Sequence, residues 1–204
     1  MLALDILRDD GNPTLTNFAS TTFGIFYCGF LPAFWVSLRN LAIPAVHTST
    51  LATHWPTLLG GPPHVTVGLV ATLTSVCAII AADAGAYFVG RAIGRTSLTS
   101  ISPKKTVEGA AGGLTCAMAA VWLLGWLTKW PLVWWGAPLL GCAIFCTSLI
   151  GDLIESSMKR DAGVKDSGNV IPGHGGVLDR FDSYIFTGAI VYCIIRYVLP
   201  LFGL

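Results

Sequence analysis

Four polar side chains lie at helical spacing directly after an apolar stretch of the chain. Asp152, Glu155, Ser156 and Lys159 stand at i, i+3, i+4 and i+7, so a helix that continues through them places all four on one face. A salt-bridged helix end leaving a membrane is one explanation of this pattern. Because ionisable groups at membrane depth are usually functional, we favour a site for a charged ligand.

The segment that follows is too rich in glycine and proline to continue a helix. Gly175 and Gly176 would let backbone N–H groups approach a ligand closely, and successive N–H groups can cradle a phosphate. A plain turn explains these two glycines equally well. His174 has little packing to orient it, so it is either exposed without a role or held against a ligand.

Two carboxylates precede the last apolar stretch. Asp182, followed by Ser183, is a candidate N-cap for the helix of that stretch, whereas Asp179 lies one turn earlier and needs another explanation. Carboxylates are hard oxygen ligands that suit Mg²⁺. Asp152 and Asp179 stand at the membrane ends of consecutive apolar stretches, so they can meet in space as a metal site.

A second polar loop is basic. Ser102 and Pro103 predict the N-cap and first residue of a helix, which puts Lys104 and Lys105 in its first turn. Two lysines there oppose the helix dipole, and an anion bound at the helix N-terminus would reverse that penalty. The general preference of basic residues for the cytoplasmic face explains the lysines about as well.

Asp83 lies inside an apolar stretch, with two alanines before it and an alanine and a glycine after it. A carboxylate at that depth costs on the order of several kcal/mol unless it is paired or bound to a metal. We therefore predict a functional role for Asp83.

The composition indicates a membrane protein. Hydrophobic residues make up 53% of the 204 residues and charged residues 11%, whereas soluble domains carry about 25% charged residues. The mean hydropathy of +0.68 agrees with this. A net charge of +1, without a run of basic residues, gives no indication of a nucleic-acid partner.

Five stretches are long and apolar enough to cross a bilayer, which takes about 20 residues. They are residues 18–38, 65–89, 107–127, 132–150 and 183–202. A sixth span within residues 41–60 is an alternative, although its prolines and histidines favour a loop or a re-entrant segment. We predict an all-α polytopic membrane protein with five transmembrane helices, or six in the alternative, and a polar active-site loop before the last helix.

The basic residues predict the orientation of the chain. The connection between the second and third spans carries Arg91, Arg95, Lys104 and Lys105 and no acid, which favours the cytoplasmic face or its organellar equivalent. The connection at residues 151–182 follows two spans later and therefore lies on the same face. Both loops can build one site on the side where nucleotides are kept.

Three runs together resemble the signature of the phosphatidate cytidylyltransferases, also called CDP-diacylglycerol synthases. The runs are Ser156-x-Met158-Lys159-Arg160, Lys165-Asp166-x-Gly168 and Pro172-Gly173-His174-Gly175-Gly176-x-x-Asp179-Arg180-x-Asp182. They span 27 residues with many fixed positions. Two further family motifs are matched by Asp83 and by Ser102-Pro103-Lys104-Lys105-Thr106-x-Glu108-Gly109.

The resemblance covers most of the chain from about Ala19 onward. Within the family, residues 22–32 and 187–189 resemble the cyanobacterial and plastid branch. The chain departs from the family at Val107, where a Trp is frequent, and at Ala84 and Gly85, which replace a bulkier or hydroxylated pair. Neither departure removes a charged group, so we expect activity to survive them.

The resemblance implies that CTP and phosphatidic acid react to give CDP-diacylglycerol and pyrophosphate. It implies Mg²⁺ as cofactor, with a monovalent cation such as K⁺ as an option. The implied catalytic residues are Asp152, Asp179, Lys159, Arg160, Lys165, Asp166, His174 and Asp182. The implied substrate-binding residues are Ser102, Lys104, Lys105, Ser156, Gly175, Gly176 and Arg180. The implied metal ligands are Asp152, Asp179 and Asp83.

The resemblance also implies a location and partners. We expect a plastid membrane or a cyanobacterial or bacterial inner membrane, with the site on the stromal or cytoplasmic side. The expected partners are CTP, phosphatidic acid and the bilayer, with a homodimer as an option. Family members commonly carry more upstream spans, so residues 1–204 are expected to form a single transmembrane domain, the C-terminal catalytic part of a longer protein.

The two substrates place a physical condition on the site. Burying each CH₂ stabilises by about 0.8 kcal/mol, so the acyl tails of phosphatidic acid stay in the bilayer. CTP is highly charged and cannot enter the hydrocarbon. The reacting phosphates must therefore meet at the membrane interface, in a cavity open both to water and to lipid.

Three other functions compete with this one. A CTP-dependent kinase of phytol or dolichol would transfer the γ-phosphate instead of CMP, but the full run from Ser156 to Asp182 favours the cytidylyltransferase. An ion transporter could use Asp83, yet it needs no glycine-rich loop outside the bilayer. A non-catalytic scaffold would leave the clustered charges unexplained.

Overall fold

The computed structural model describes residues 15–41, 66–99, 101–128, 130, 136–168, 170 and 175–202, and helices form nearly all of this part. The first helical stretch consists of α1 (Leu15–Ile25), a π-helical turn (Phe26–Phe30) and α2 (Leu31–Arg39). Four longer helices follow, and a π-helical turn (Ile194–Val198) and a 3₁₀ turn (Leu199–Phe202) end the described part. The four helices are α3 (Val67–Ile93), α4 (Val107–Thr128), α5 (Gly136–Asp161) and α6 (Leu178–Cys193).

Five helical segments of the described part are long and apolar enough to cross a membrane. They are Asn17–Arg39, Val67–Ile93, Val107–Thr128, Gly136–Asp161 and Leu178–Val198. The prediction of an all-α polytopic membrane protein is therefore confirmed. The alternative sixth span falls almost wholly on residues 42–60, outside the described residues.

The last two spans begin or end differently from their prediction. The fourth span was predicted to end at residue 150, but α5 continues to Asp161 and carries the polar residues at helical spacing with it. The fifth was predicted to begin at residue 183, but α6 begins at Leu178. Because apolar length was the criterion, the polar turns at these two helix ends were left out of the predicted spans.

One buried core ties these helices together. Leu38 of α2, Ile79 of α3, Val121 of α4, Ile144 of α5 and Val191 of α6 belong to it, and each is fully buried. Helix association in lipid depends on close packing, since lipid tails are as apolar as the side chains themselves. This core fixes the helix ends that carry the polar residues.

Small residues bring α3 and α4 close together. A Cβ atom on Gly113 would lie 2.8 Å from the carbonyl oxygen of Ala82, and one on Gly85 would lie 2.6 Å from the Sγ atom of Cys116. Both distances are shorter than van der Waals contact, so neither glycine can be enlarged without moving a helix. Gly113 belongs to the small-residue run that predicted close packing of the third span.

The connection between α3 and α4 corrects one prediction. Ser102 and Pro103 are not the N-cap and first residue of a helix, because α4 begins at Val107. Thr106 caps it instead, since its Oγ1 accepts a hydrogen bond of 3.1 Å from the backbone N–H of Gly109. Lys104 and Lys105 therefore lie in the loop rather than in a first helical turn.

Backbone pairing explains why the helix begins late. The N–H of Leu98 donates to the carbonyl of Lys105 at 2.7 Å, and the N–H of Val107 donates to the carbonyl of Thr96 at 2.9 Å. These bonds draw the residues before Val107 into an extended pairing with the residues after α3. The pairing turns Lys105 back toward the helix bundle.

Candidate active site

A cavity of about 540 Å³ lies where α3, the α3–α4 loop, α4, α5 and α6 meet. Its charged lining residues are Asp83, Arg91, Lys104, Lys105 and Asp152. Three bases and two acids therefore share one wall, and polar groups from Ser102, Thr106 and Ser183 join them. Such a mixture suits a ligand that carries several negative charges together with a cation.

An ion pair joins the two polar loops inside this cavity. The Nζ atom of Lys105 contacts the Oδ2 atom of Asp152, and the side chains are 25% and 30% exposed. From the sequence we predicted that the two polar loops, which are separated by two spans, lie on the same face and can build one site. The contact between Lys105 and Asp152 joins these two parts of the chain. Asp83 lines the same cavity, as the single-site hypothesis requires.

Behind the ion pair lies a group of three carboxylates. Asp152, Glu155 and Asp182 each offer an oxygen atom, and these atoms lie within 4.8 Å of one another. Glu155 is 1% exposed, and neither of its carboxylate oxygens accepts a hydrogen bond from a described residue. Its described counter-charge is Lys159, whose Nζ atom lies 2.6 Å from Oε2. A buried carboxylate with one oxygen, Oε1, that has no described partner fits a hard divalent cation such as Mg²⁺.

The helix crossing explains why three acids converge here. Asp152 and Glu155 are one turn apart on α5, and Ser156 donates a hydrogen bond of 3.4 Å to Asp152. Gly151 of α5 has no side chain, and a Cβ atom there would collide with the backbone carbonyl of Asp182. Because α5 and α6 touch at that point, Asp182 reaches the acids of α5.

Asp182 is therefore not the N-cap of the last helix, which was one reading of its position. The helix begins at Leu178, so Asp182 lies inside it rather than before it. Its Oδ1 atom accepts a hydrogen bond of 2.7 Å from the N–H of Ser183.

Asp179 occupies a different environment from Asp152. Its Oδ2 atom accepts hydrogen bonds of 2.8 Å from the N–H and the Oγ of Ser167 and from the N–H of Gly176. Its Oδ1 atom accepts one of 2.7 Å from Lys159. The structure thus groups Asp152 with Glu155 and Asp182, and the hydrogen bonds of Asp179 join Ser167 and Gly176 to α6. A metal shared by Asp152 and Asp179 stays a prediction.

The anchored loop depends on one glycine. Gly175 has a φ of +80°, a backbone conformation that residues with a Cβ rarely adopt. A Cβ atom there would also lie 3.0 Å from the Oδ2 atom of Asp179. The next residue, Gly176, turns its N–H toward the carboxylate of Asp179 rather than toward the cavity.

The other predicted site residues are distributed as follows. Lys159 was expected to hold a phosphate. Its Nζ atom already forms ion pairs with the carboxylates of Glu155 and Asp179. Four charged side chains are exposed at the ends of α5 and α6 and in the loop between them, namely Arg160, Lys165, Asp166 and Arg180. His174 lies outside the described residues.

Sequence reasoning left out three residues of this region. Glu155 was placed on the right helix face but not among the metal ligands, and Tyr87 and Arg91 of the cavity wall were not singled out. Their spacing was a usable signal, because Asp83, Tyr87 and Arg91 stand at i, i+4 and i+8 of one helix and so share a face.

Comparison with known proteins gives consistent matches. The profile of the Cytidylyltransferase family matches residues 1–198. The protein named Phosphatidate cytidylyltransferase 4, chloroplastic, from Arabidopsis thaliana is 52% identical over 204 residues, which are 100% of this chain and 52% of that protein. The Phosphatidate cytidylyltransferase of Synechocystis is 46% identical over 191 residues, or 92% of this chain and 65% of that protein.

A more distant relative matches a shorter region. The Phosphatidate cytidylyltransferase of Bacillus subtilis is 42% identical over 129 residues, or 62% of this chain and 46% of that protein. The chain thus spans about half the length of the Arabidopsis and Bacillus relatives, and somewhat more of the Synechocystis one.

Proposed function

This chain belongs to the cytidylyltransferase family, and we propose that it is the catalytic part of a phosphatidate cytidylyltransferase, which makes CDP-diacylglycerol and pyrophosphate from CTP and phosphatidic acid. The observation that carries the proposal is the Lys105–Asp152 ion pair, which joins the basic loop of the cavity to one member of the cluster of three carboxylates. The names of the relatives, and their identity over the whole of this chain, support the choice of substrates.

The reaction needs little acid–base chemistry from the protein. A phosphate oxygen of phosphatidic acid bonds to the α-phosphorus of CTP, and the bond from that phosphorus to the bridging oxygen of the β-phosphate breaks. The second pKa of a phosphate monoester is about 6, so the attacking oxygen is already anionic near neutral pH. The barrier lies in bringing two anions together and in stabilising the pyrophosphate that leaves.

Basic side chains of the cavity would offset the negative charge of the two substrates. Lys104 and Lys105 line the cavity and can contact phosphate oxygens of CTP, since charge-assisted hydrogen bonds are the strong ones. Lys105 already has Asp152 as its partner, so a phosphate that enters would share the lysine with that carboxylate. The two lysines would hold the phosphates in line for transfer.

The cluster of three carboxylates fits the Mg²⁺ that the resemblance to the family implies. Asp152, Glu155 and Asp182 would hold Mg²⁺, and the buried Glu155, whose Oε1 atom has no described partner, is the observation that favours this set. A bound Mg²⁺ would neutralise phosphate charge as it builds up on the leaving group. Asp83 would complete the polar wall of the cavity, and Asp179 would keep the glycine-rich loop in place through its four donors. K⁺ stays a prediction as an additional ion.

The membrane setting decides where the substrates enter. We place the cavity at the stromal or cytoplasmic interface of a plastid or bacterial-type membrane, because the basic α3–α4 loop favours that face. The cavity wall also contains Ala82, Ala86, Phe145 and Leu149, which suit the glycerol and upper acyl portions of a lipid. A homodimer remains a prediction that the size of the purified protein in detergent would test.

Labelled CTP distinguishes the proposed reaction from its rivals. Purified protein in vesicles with phosphatidic acid and Mg²⁺ is supplied with CTP labelled at the α- or the γ-phosphate. We expect the α-label in the lipid and the γ-label in pyrophosphate. A γ-label in the lipid of vesicles that contain phytol or dolichol would overturn the proposal in favour of a lipid-alcohol kinase, and a lipid free of both labels would exclude either transfer.

A further inference from the structure

Arg91 lies on the cavity wall in a position that the proposed reaction has not used. It stands in the last turn of α3, and its Nη1 atom donates a hydrogen bond of 3.0 Å to the hydroxyl of Tyr87. Both side chains line the cavity with Lys104 and Lys105. Among the described residues, no carboxylate forms an ion pair with Arg91, whereas Lys105 pairs with one carboxylate and Lys159 with two. The guanidinium is therefore held in place by a neutral group.

The position of Arg91 along α3 separates it from Asp83, the acid of the same helix that lines the cavity. It is eight residues beyond Asp83, which corresponds to about 12 Å along a helix with a rise of 1.5 Å per residue. The helix ends two residues later, at Ile93, where the basic loop begins. Arg91 thus lies at the level at which lipid head groups meet the hydrocarbon, and Asp83 lies deeper.

Exposed apolar side chains lie on α3 over the three turns that precede Arg91. Phe88 is 68% exposed and Ile80 is 56% exposed, and the ring of Tyr87, itself 57% exposed, meets that of Phe88 edge to face at 5.4 Å. On a membrane-spanning helix these groups face acyl chains. The Tyr87–Arg91 pair therefore stands where the lipid-facing surface of α3 borders the polar cavity, as amphipathic aromatic side chains do at interfaces.

We propose that Arg91, oriented by Tyr87, binds the phosphate of the lipid substrate at the lateral mouth of the cavity, an inference that rests on the proposed function. A guanidinium offers a planar fork of N–H donors that matches phosphate oxygens, and the bond to Tyr87 occupies only one of them. A lipid bound there keeps its acyl chains along the exposed apolar side of α3. Its phosphate faces Lys104 and Lys105, where CTP is expected.

The guanidinium of Arg91 could instead bind a phosphate of CTP. The kinetics below distinguish the lipid phosphate from the CTP phosphate, and the chain provides a matched control variant. Arg95 lies four residues further along, in the loop after α3, and is also exposed, but it does not line the cavity. Arg91→Gln and Arg95→Gln remove the same charge from the same face of the membrane. Arg91→Lys keeps the charge but loses the fork, and Tyr87→Phe removes only the hydroxyl that orients it.

Steady-state kinetics in vesicles test the proposal, with phosphatidic acid varied at saturating CTP and CTP varied at saturating lipid. We expect Arg91→Gln to raise the KM for phosphatidic acid about tenfold or more, as the loss of a charge-assisted contact does, and to leave the KM for CTP within about twofold. Arg91→Lys and Tyr87→Phe should show smaller increases, and Arg95→Gln should match the wild type. A rise confined to the KM for CTP, or equal effects of the two glutamine variants, would overturn the proposal.

A binding measurement keeps this test separate from the test of the reaction itself. Detergent-purified wild type should retain phosphatidic acid in preference to phosphatidylcholine, as measured by native mass spectrometry, and Arg91→Gln should lose that preference with an unchanged thermal unfolding midpoint. If the wild type makes no CDP-diacylglycerol but shows this difference, the lipid-phosphate site stands and the proposed reaction fails. Equal retention of phosphatidic acid by both proteins would contradict the site.

Discussion

Glu155 is the side chain whose surroundings point most directly to a bound cation. It is almost fully buried, and its Oε1 atom has no hydrogen-bond partner among the described residues. Lys159 is its neighbouring positive charge, but Lys159 is shared with Asp179. A buried carboxylate is costly unless it is paired or coordinates a metal. A divalent cation between Glu155, Asp152 and Asp182 would satisfy the Oε1 atom of Glu155, which Lys159 leaves without a partner.

Glu155→Gln tests this assignment with a change that preserves shape. We expect the Mg²⁺ concentration for half-maximal activity to rise by about tenfold or more, since even outer-shell partners of a metal site contribute about 10- to 100-fold. Asp161→Asn is the matched control, because Asp161 lies on the same helix but does not belong to the cluster of three carboxylates. The measurement is a Mg²⁺ titration of CDP-diacylglycerol formation. An unchanged titration in Glu155→Gln would remove Glu155 from the metal site.

The residue scale also shows what spacing along the chain can predict. Asp152 and Glu155 could be placed on one face from the sequence, because both belong to a single helix whose period is known. The sequence did not show whether Asp179 or Asp182 lies beside Asp152. That depends on the residue at which α6 begins and on the contact of α6 with Gly151 of α5. Those depend on how two helices pack, which no local pattern encodes.

At the scale of elements, the α3–α4 loop owes its shape to Glu108. Its carboxylate accepts hydrogen bonds from the N–H of Arg95 at 3.1 Å, from the N–H of Thr96 at 3.2 Å and from the hydroxyl of Thr96 at 3.0 Å. These bonds fasten the start of the loop to the first turn of α4. The backbone pairing beyond them presents Lys105 to Asp152. Glu108 is therefore a positioning residue that acts through Lys105.

Glu108→Ala should release this loop without unfolding the protein. We expect faster amide hydrogen exchange at Arg95 and Thr96 and a lower kcat/KM for CTP, because Lys105 loses its fixed position. Glu108→Gln keeps one acceptor oxygen and should lie between the alanine variant and the wild type. Val107→Ala, at the exposed neighbouring position, is the control for both measurements. Lost activity with unchanged exchange would show that Glu108 acts on substrate directly rather than through the loop.

The crossing of α5 and α6 at Gly151 gives a second prediction for an element. A Cβ atom at residue 151 would collide with the backbone of α6, and overpacking of this kind costs about 1–3 kcal/mol. We expect Gly151→Ala to lower the thermal unfolding midpoint and also the activity, because Asp182 moves away from Asp152. Gly125→Ala is the control, since a Cβ atom there meets no atom within 4 Å. Equal midpoints and activities of the two variants would contradict the close crossing.

The elements also mark where prediction from sequence ended. Apolar length identified all five spans, but it missed the polar turns of α5 and α6. The pattern Ser102–Pro103 indicated a helix start that Thr106 provides instead. There, the hydrogen bonds of Glu108 to Arg95 and Thr96 outweighed the local preference of Ser102 and Pro103 for a helix start.

At the scale of the whole molecule, topology was the strongest prediction from sequence. Counting spans placed the two polar loops on one face, and the structure brings Lys105 and Asp152 into contact. The same count could not say which side chains meet, because that depends on the core that unites α2 to α6. Sequence identity to the plant and cyanobacterial relatives extends over nearly the whole chain, including these helices.

The most direct test of the central claim is whether the two loops form one site in the membrane. In a variant whose six cysteines are replaced, Lys105→Cys combined with Asp152→Cys is treated in vesicles with a short bifunctional thiol reagent. The control combines Lys105→Cys with Asp161→Cys, since Asp161 lies nine residues, or roughly 14 Å, beyond Asp152 on α5. We predict efficient cross-linking of the first pair and little of the second. No cross-link between positions 105 and 152, or equal cross-linking of both pairs, would contradict a single site built from both loops.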